Sequence, residues 1–273
     1  MLAAFDFGIS NTDIAIFSND SIEYFSAPSS KETITTDLIK KLLLNFNISI
    51  SKIDVLGVTG GKSSDLDDSL TSKKIIKVNE IEAIGLGAKK LYGLENNSSL
   101  VVSAGTGTAC IQVDKENFNH LGGIAVGGGM LEGLGHLLFK NSHGNEINEF
   151  GKRGLRDSLD MLIGDVVNKI GNLSPEMTAV NFGKARYVDD FTTEDKSAAL
   201  CNSIGEVIGT IAYLNALLIG SEKVYFVGRT SKLSLVVKGI NEILKLAGVT
   251  GVYENNREYA NVIGVLEKIK NSV

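Results

Sequence analysis

Cysteine is scarce in this chain. Cys110 and Cys201 are the only two, and each stands alone in an apolar run. Both read as small buried hydrophobes of a reducing compartment, not as a disulfide or a nucleophile. Basic runs are missing too: lysine and arginine are scattered and the formal net charge is -5. That balance argues against a nucleic acid or another polyanion as partner. No apolar run reaches the roughly 18 residues that a membrane span takes, and the longest, IAYLNALLIG, is too short. The opening MLAAFDFGISNTDIAIF carries Asp6 close to its start and lacks a basic lead segment, so it does not read as a signal peptide. The expectation is a cytoplasmic protein with no membrane association. His136 and His143 have no partners at metal-ligand spacing. Neither a G-x-x-x-x-G-K-[ST] loop nor a dinucleotide fingerprint occurs.

What is present is an ordinary globular composition, 43% hydrophobic and 22% charged over 273 residues, enough for one large core or two smaller ones. LAAFDFG, TDIAIFSND and SIEYFSAP read as three short strands. TITTDLIKKLLLNF carries Ile34, Leu38, Leu42 and Leu43 at helical spacing. DVLGVTGG reads as a buried strand entering a glycine turn, KKIIKVNE as another strand, and EIEAIGLGAKKLYGL as a helix opened by acids that suit its positive end. SLVVSAGTG, TACIQVD and FNHLGGI then repeat the opening about 100 residues later, which predicts two similar lobes. Helices follow at GMLEGLGHLLF, NEINEFGK and RDSLDMLIGDVVNKI, and a long one at 193–219 opens with the capping signature TTED. KVYFVGRT and GVYEN are late strands, with helices SLVVKGINEILKLAG and YANVIGVLEKIK after each.

Thirty glycines occur in the chain, and nine of them fall within residues 105–135. Glycine is retained where the backbone turns to positive φ or where something approaches it closely. Three glycine-bearing turns stand at strand ends: DFGISNT (6–12), SAGTGTA (103–109) and AVGGGMLEG (125–133). Such turns let backbone amides converge on an anion, aided by a helix dipole; singly, each is more often a tight turn or a close packing contact. Ser10, Thr12, Thr106 and Thr108 could add hydroxyl donors, and Asp6 at a strand end could hold a magnesium ion.

The order DFG-x-[ST], VTGGK at 58–62, Glu80-Ile81-Glu82-Ala83, GTGT, GG-x-x-x-GGGM-x-x-GLG, MTAVNFG at 177–183, VYFVG at 224–228 and VIGVLEKI resembles the type II pantothenate kinases nearly end to end. That family belongs to the acetate kinase, sugar kinase, Hsp70 and actin superfamily. The resemblance implies an α/β chain of two actin-like (ribonuclease H-like) lobes, 1–98 and 99–273, with a nucleotide cleft between them. It implies a homodimer that transfers a phosphoryl group from ATP, with Mg2+, to the primary hydroxyl of pantothenate, the first step of coenzyme A biosynthesis. Residue by residue, it puts the first phosphate loop on Asp6 to Asp13, with Gly8, Ser10 and Asn11 against ATP and Asp6 at the metal. It puts the second on Gly105 to Thr108, with Thr106 and Gly107 as contacts. Gly128, Gly129 and Met130 form the helix start, and Gly228 and Arg229 lie near the adenosine. His120, Gly122 and Gly123 fall at the acceptor, and Glu80 falls on the catalytic base, a role a carboxylate suits because it can accept the hydroxyl proton. From spacing alone, Glu80 reads first as a first-turn helix residue favoured by the dipole.

Two positions depart from the pattern. Asp13 stands where the family has a lysine, with Lys62 and Arg229 as candidates to restore that charge. His120 stands where the family has an arginine for the substrate carboxylate, and neutral histidine lacks the charged fork. Two further readings therefore stay open: a kinase of the same fold for another hydroxylated substrate, and a nucleotide-binding regulatory protein without catalysis.

Overall fold

The computed structural model describes residues 1–30, 32–61, 63–66, 73–94, 98–167 and 174–272. Strands β1 (Leu2–Phe7), β2 (Asn11–Ser18) and β3 (Ser21–Pro28) form an antiparallel meander. Helix α1 (Thr36–Asn45), capped by the Thr35 hydroxyl accepting from the Leu38 amide, crosses to β4 (Val55–Thr59). Strand β5 (Lys74–Lys77) completes the order β3-β2-β1-β4-β5, with β4 parallel to β1 and β5 parallel to β4. Strand β1 is apolar without alternation because both faces of the sheet are covered. Ala3, Phe5 and Phe7 pack with Ile14, Ile16 and the α1 leucines on one side. Ala4 and Ala15 face a second helix layer on the other.

Helix α2 (Glu80–Tyr92) leads into the repeat. Strands β6 (Ser99–Ala104), β7 (Thr108–Asp114) and β8 (Asn117–Ile124) form a second meander. Helices α3 (Gly128–Phe139) and α4 (Gly144–Gly151) follow, then β9 (Met161–Leu162), α5 (Ile163–Val166), β10 (Thr178–Val180) and the long α6 (Thr193–Ile219). Strand β11 (Lys223–Val227), α7 (Ser234–Leu246), β12 (Thr250–Val252) and α8 (Ala260–Lys270) end the chain. The second sheet runs β12-β11-β6-β7-β8, with β11 parallel to both β6 and β12. Its order and directions duplicate the first, so the doubling suggested by the sequence is a doubling of topology.

Three expectations change. The stretch 156–170 is not one helix: a short 3-10 turn at 156–158 gives way to β9 and α5, and 168–170 lie outside the described residues. A buried polar cluster decides this. Asp160, fully buried, accepts the Phe182 amide (2.9 Å) and the Asn202 side-chain amide (3.3 Å), while Arg156 reaches Thr178 (2.8 Å) and Glu206 of α6 accepts from Thr178 (2.6 Å) and Asn181 (2.9 Å). MTAVNFG is thus the strand that fastens this hairpin to α6. The division at residue 98 also fails for the last helix: Val262, Val265, Leu266 and Ile269 of α8 pack on the first sheet. Finally, α6, expected as a long helix at 193–219, has the length and apolarity of a membrane span, where the sequence reading found no apolar run that long. In the fold it is the central helix of the second core, burying Leu200, Cys201, Ile204, Ile208 and Ala212.

Candidate active site

Between the two sheets lies a cavity of about 790 Å³. Two turns, one strand end and two helix starts form much of its wall. The β1–β2 turn contributes Gly8, Ser10 and Asn11, and the β6–β7 turn contributes Thr106 and Gly107. The start of α3 contributes Gly128 and Gly129, the end of β11 contributes Gly228 and Arg229, and α2 contributes its first residue, Glu80. The two phosphate-loop candidates touch across the cleft, Ser10 Oγ standing 3.0 Å from Thr106 Oγ1.

Asp6 lies at the floor, in the last part of β1, beside Asp13 in the antiparallel register. Its carboxyl pKa is pushed up to about 7, first by burial and then by the charges of Asp13 and Glu80, against an opposing hydrogen bond from Asn261 (2.8 Å) and the field of Arg229. Gly60 carries φ 76° because a Cβ there would run into the Asp6 carboxylate and the Phe7 carbonyl. A carboxyl held in this condition is one that a cation would relieve. Among the described residues no cluster of three acidic, histidine or cysteine side chains could enclose a metal. The buried Asp6 carboxyl suits an ion such as magnesium, which keeps its waters and binds through one or two carboxylates and substrate phosphates.

The helix-start glycines serve a different purpose from the expected one. The amides of Gly128 and Gly129 already donate to the carbonyls of Gly105 (2.8 Å) and Thr106 (2.9 Å). A side chain on Gly127 or Gly129 would collide with that same loop, and one on Gly128 would meet the Thr230 hydroxyl. The run lets α3 dock against the second loop, which Thr230 Oγ1 also holds by donating to Gly105 (2.7 Å).

Met130, His120, Gly122 and Gly123 do not line the cavity. Met130 is exposed on α3. Strand β8 is an edge strand, paired only with β7, and a bulge shifts its register so that Gly122 faces Cys110 and His120 faces Ile111. His120 is exposed there, and Gly123 is required by close approach to the Thr108 carbonyl. Sequence reading missed Gly60, Gly61, Asn261, Glu258 and Lys232, all in the wall. The glycine pair at the end of VTGG was a usable signal; Asn261 and Glu258 had none. Lys62 lies outside the described residues.

Comparison with known proteins decides the family. The Fumble family model matches residues 95–234. A type II pantothenate kinase of Oceanobacillus iheyensis is 30% identical over 218 residues, 77% of this chain and 80% of that protein. The chain belongs to this family. Another type II pantothenate kinase, from Staphylococcus aureus, is 27% identical over 254 residues, covering 90% of this chain and 94% of its own length. The actin-like two-lobe fold is shared more widely. An activator of 2-hydroxyisocaproyl-CoA dehydratase from Clostridium difficile, solved with bound ADPNP, superposes with a TM-score of 0.67 at 14% identity, over 99% of this chain and 96% of that one.

Within the family's frame, Asp13 is the position to examine. Arg229 of the second lobe forms an ion pair with it and donates to Ser26 Oγ at 2.7 Å. Burial pushes the Asp13 pKa up, and the guanidinium holds it down. Lys232, one turn on, pairs with Glu258. Arg229 therefore stands against Asp13, the register partner of Asp6.

Proposed function

We propose that this protein transfers the γ-phosphoryl group of ATP to the primary hydroxyl of pantothenate, opening coenzyme A biosynthesis. One observation carries the reading. Glu80 opens a helix directly on the cavity that both phosphate loops and Asp6 share, close enough for its charge to raise the Asp6 pKa. Asn79 fixes the helix start by accepting the Ile81 amide at 2.9 Å, so the Glu80 stem leaves the helix in a set direction.

With the nucleotide polyphosphate between the Gly8–Asn11 and Thr106–Gly107 turns, the acceptor hydroxyl approaches from the Glu80 side. Glu80 takes the hydroxyl proton as the oxygen attacks the γ-phosphorus and the bond to the ADP oxygen breaks. Such transfers are mostly positioning and charge stabilisation. Asp6, steadied by Asn261, would hold magnesium, whose charge offsets that of the phosphates. We place the reaction in the cytoplasm, where ATP is plentiful and Cys110 and Cys201 stay reduced. We also assign a homodimer through the second lobe, because α6 leaves Val207, Leu214 and Leu218 exposed along one stripe.

The test is the product. Purified protein with magnesium-ATP and pantothenate should yield pantothenate phosphorylated at its primary hydroxyl, read by mass spectrometry and phosphorus NMR. Absence of that product, with nucleotide binding intact, would refute pantothenate as acceptor. The exposed position of His120 favours a second reading, a hydroxyl acceptor without a carboxylate. Pantetheine in place of pantothenate tests it in the same assay.

A further inference from the structure

We propose that Arg229 is the polyphosphate-binding cation of this enzyme, reaching from the second lobe and held in place by Asp13 and Ser26 of the first. The assignment rests on the nucleotide reading of the cavity and concerns which side chain supplies the charge there.

Consider which charges the cavity presents. Among the described residues its wall holds the carboxylates of Asp6, Asp13, Glu80, Glu132 and Glu258 against two cations, Arg229 and Lys232. A polyanion cannot settle among these acids without a well-placed positive group. Lys232 is committed to Glu258, whose side chain is 9% exposed. Arg229 pairs with Asp13, the register partner of Asp6, so it stands on the side where phosphates and metal would meet.

The geometry leaves Arg229 donors to spare. Both of its hydrogen bonds, to Asp13 and Ser26, leave from Nη2. Nε and Nη1 make none with the described residues, and the side chain, which lines the cavity, is 38% exposed. The guanidinium carbon also lies 5.5 Å from the Tyr259 ring centroid, which fixes the plane of the fork. A guanidinium held this way loses little freedom when it grips a phosphate through its remaining N–H groups. Gly228 makes the position reachable: its φ of 90° brings the end of β11 onto the Ala104 carbonyl, where a Cβ would clash. Because the cation belongs to one lobe and its anchors to the other, the polyphosphate site is complete only when the lobes are together.

Direct binding measurements test this. MgATP and adenosine are titrated by calorimetry against wild type, Arg229→Gln and Asp13→Asn/Arg229→Gln. Loss of a charge-assisted contact predicts MgATP binding weakened ~10–100-fold in both variants. Adenosine affinity should stay within about threefold. The double variant leaves a neutral contact between the lobes, so it serves even where the single variant, with Asp13 left unpaired, fails to fold. Recovery of wild-type MgATP affinity in the double variant would make the pair a mere strut and overturn the proposal. Equal losses for MgATP and adenosine would place Arg229 at the adenosine and overturn it too. Wild-type protein that binds neither ligand would refute the nucleotide reading itself, and this assignment with it.

Discussion

Asp6 shows how one carboxyl connects stability to function. Its folded pKa of about 7 lies above the unfolded 3.8, so the folded state holds the proton more tightly. Stability from this group is greatest below pH 4 and falls as pH rises from there to about 7. In metal-free protein at pH 8, Asp6→Asn should therefore raise stability by ~1–2 kcal/mol, the shift being discounted for a side chain that water partly reaches. The gain should vanish at pH 4, and turnover should be lost. Urea denaturation of variant and wild type at the two pH values checks the sign, and a variant less stable at pH 8 would contradict it. Asp6 was legible in the sequence as a carboxylate at a strand ending in glycine, whereas Glu80 read locally as a first-turn helix acid and was singled out by the family resemblance. Asn261, which bonds Asp6, comes from the far end of the chain, where no local pattern marks it.

Elements carry the site through close contacts that glycine allows. Helices α2 and α8 cross with no room to spare: a side chain on Gly264 would overlap the Ala83 carbonyl, and one on Gly87 the Ala260 carbonyl. That crossing sets both Glu80, at the head of α2, and Asn261, in the first turn of α8. Gly264→Ala should cost ~1–3 kcal/mol by forcing the helices apart. It should also lower kcat more than an exposed control such as Gly133→Ala, where nothing lies near the added Cβ. Thermal unfolding and kinetics on the two variants check this, and equal effects would contradict it. Periodicity predicted α8 as a helix but could not say which sheet it covers, because an apolar stripe names no partner. The failure at 156–170 has a similar origin. Asp160 lies far in sequence from Asn202 and Glu206, and the hydrogen bonds that join the three override the local helical pattern.

At the scale of the molecule, two copies of one strand order face each other, and the site belongs to neither alone. Asp6 and Glu80 come from the first half; the second loop, the α3 start and Arg229 come from the second. The doubling was visible as two strand triplets about 100 residues apart, but their mutual approach was not, since Ser10–Thr106 and Asp13–Arg229 link distant segments. The resemblance to a family supplied the acceptor position at His120, Gly122 and Gly123, and the wall of this cavity leaves those residues out. The central claim is that Glu80 and the phosphate loops form one phosphotransfer site for pantothenate. The most direct measurement is ADP release from magnesium-ATP, with and without pantothenate, by wild type and Glu80→Gln. The account predicts pantothenate-dependent release that falls ~10²–10⁴-fold in kcat in the variant, with the ATP KM little changed. Release that is indifferent to pantothenate, or undiminished in Glu80→Gln, would contradict it.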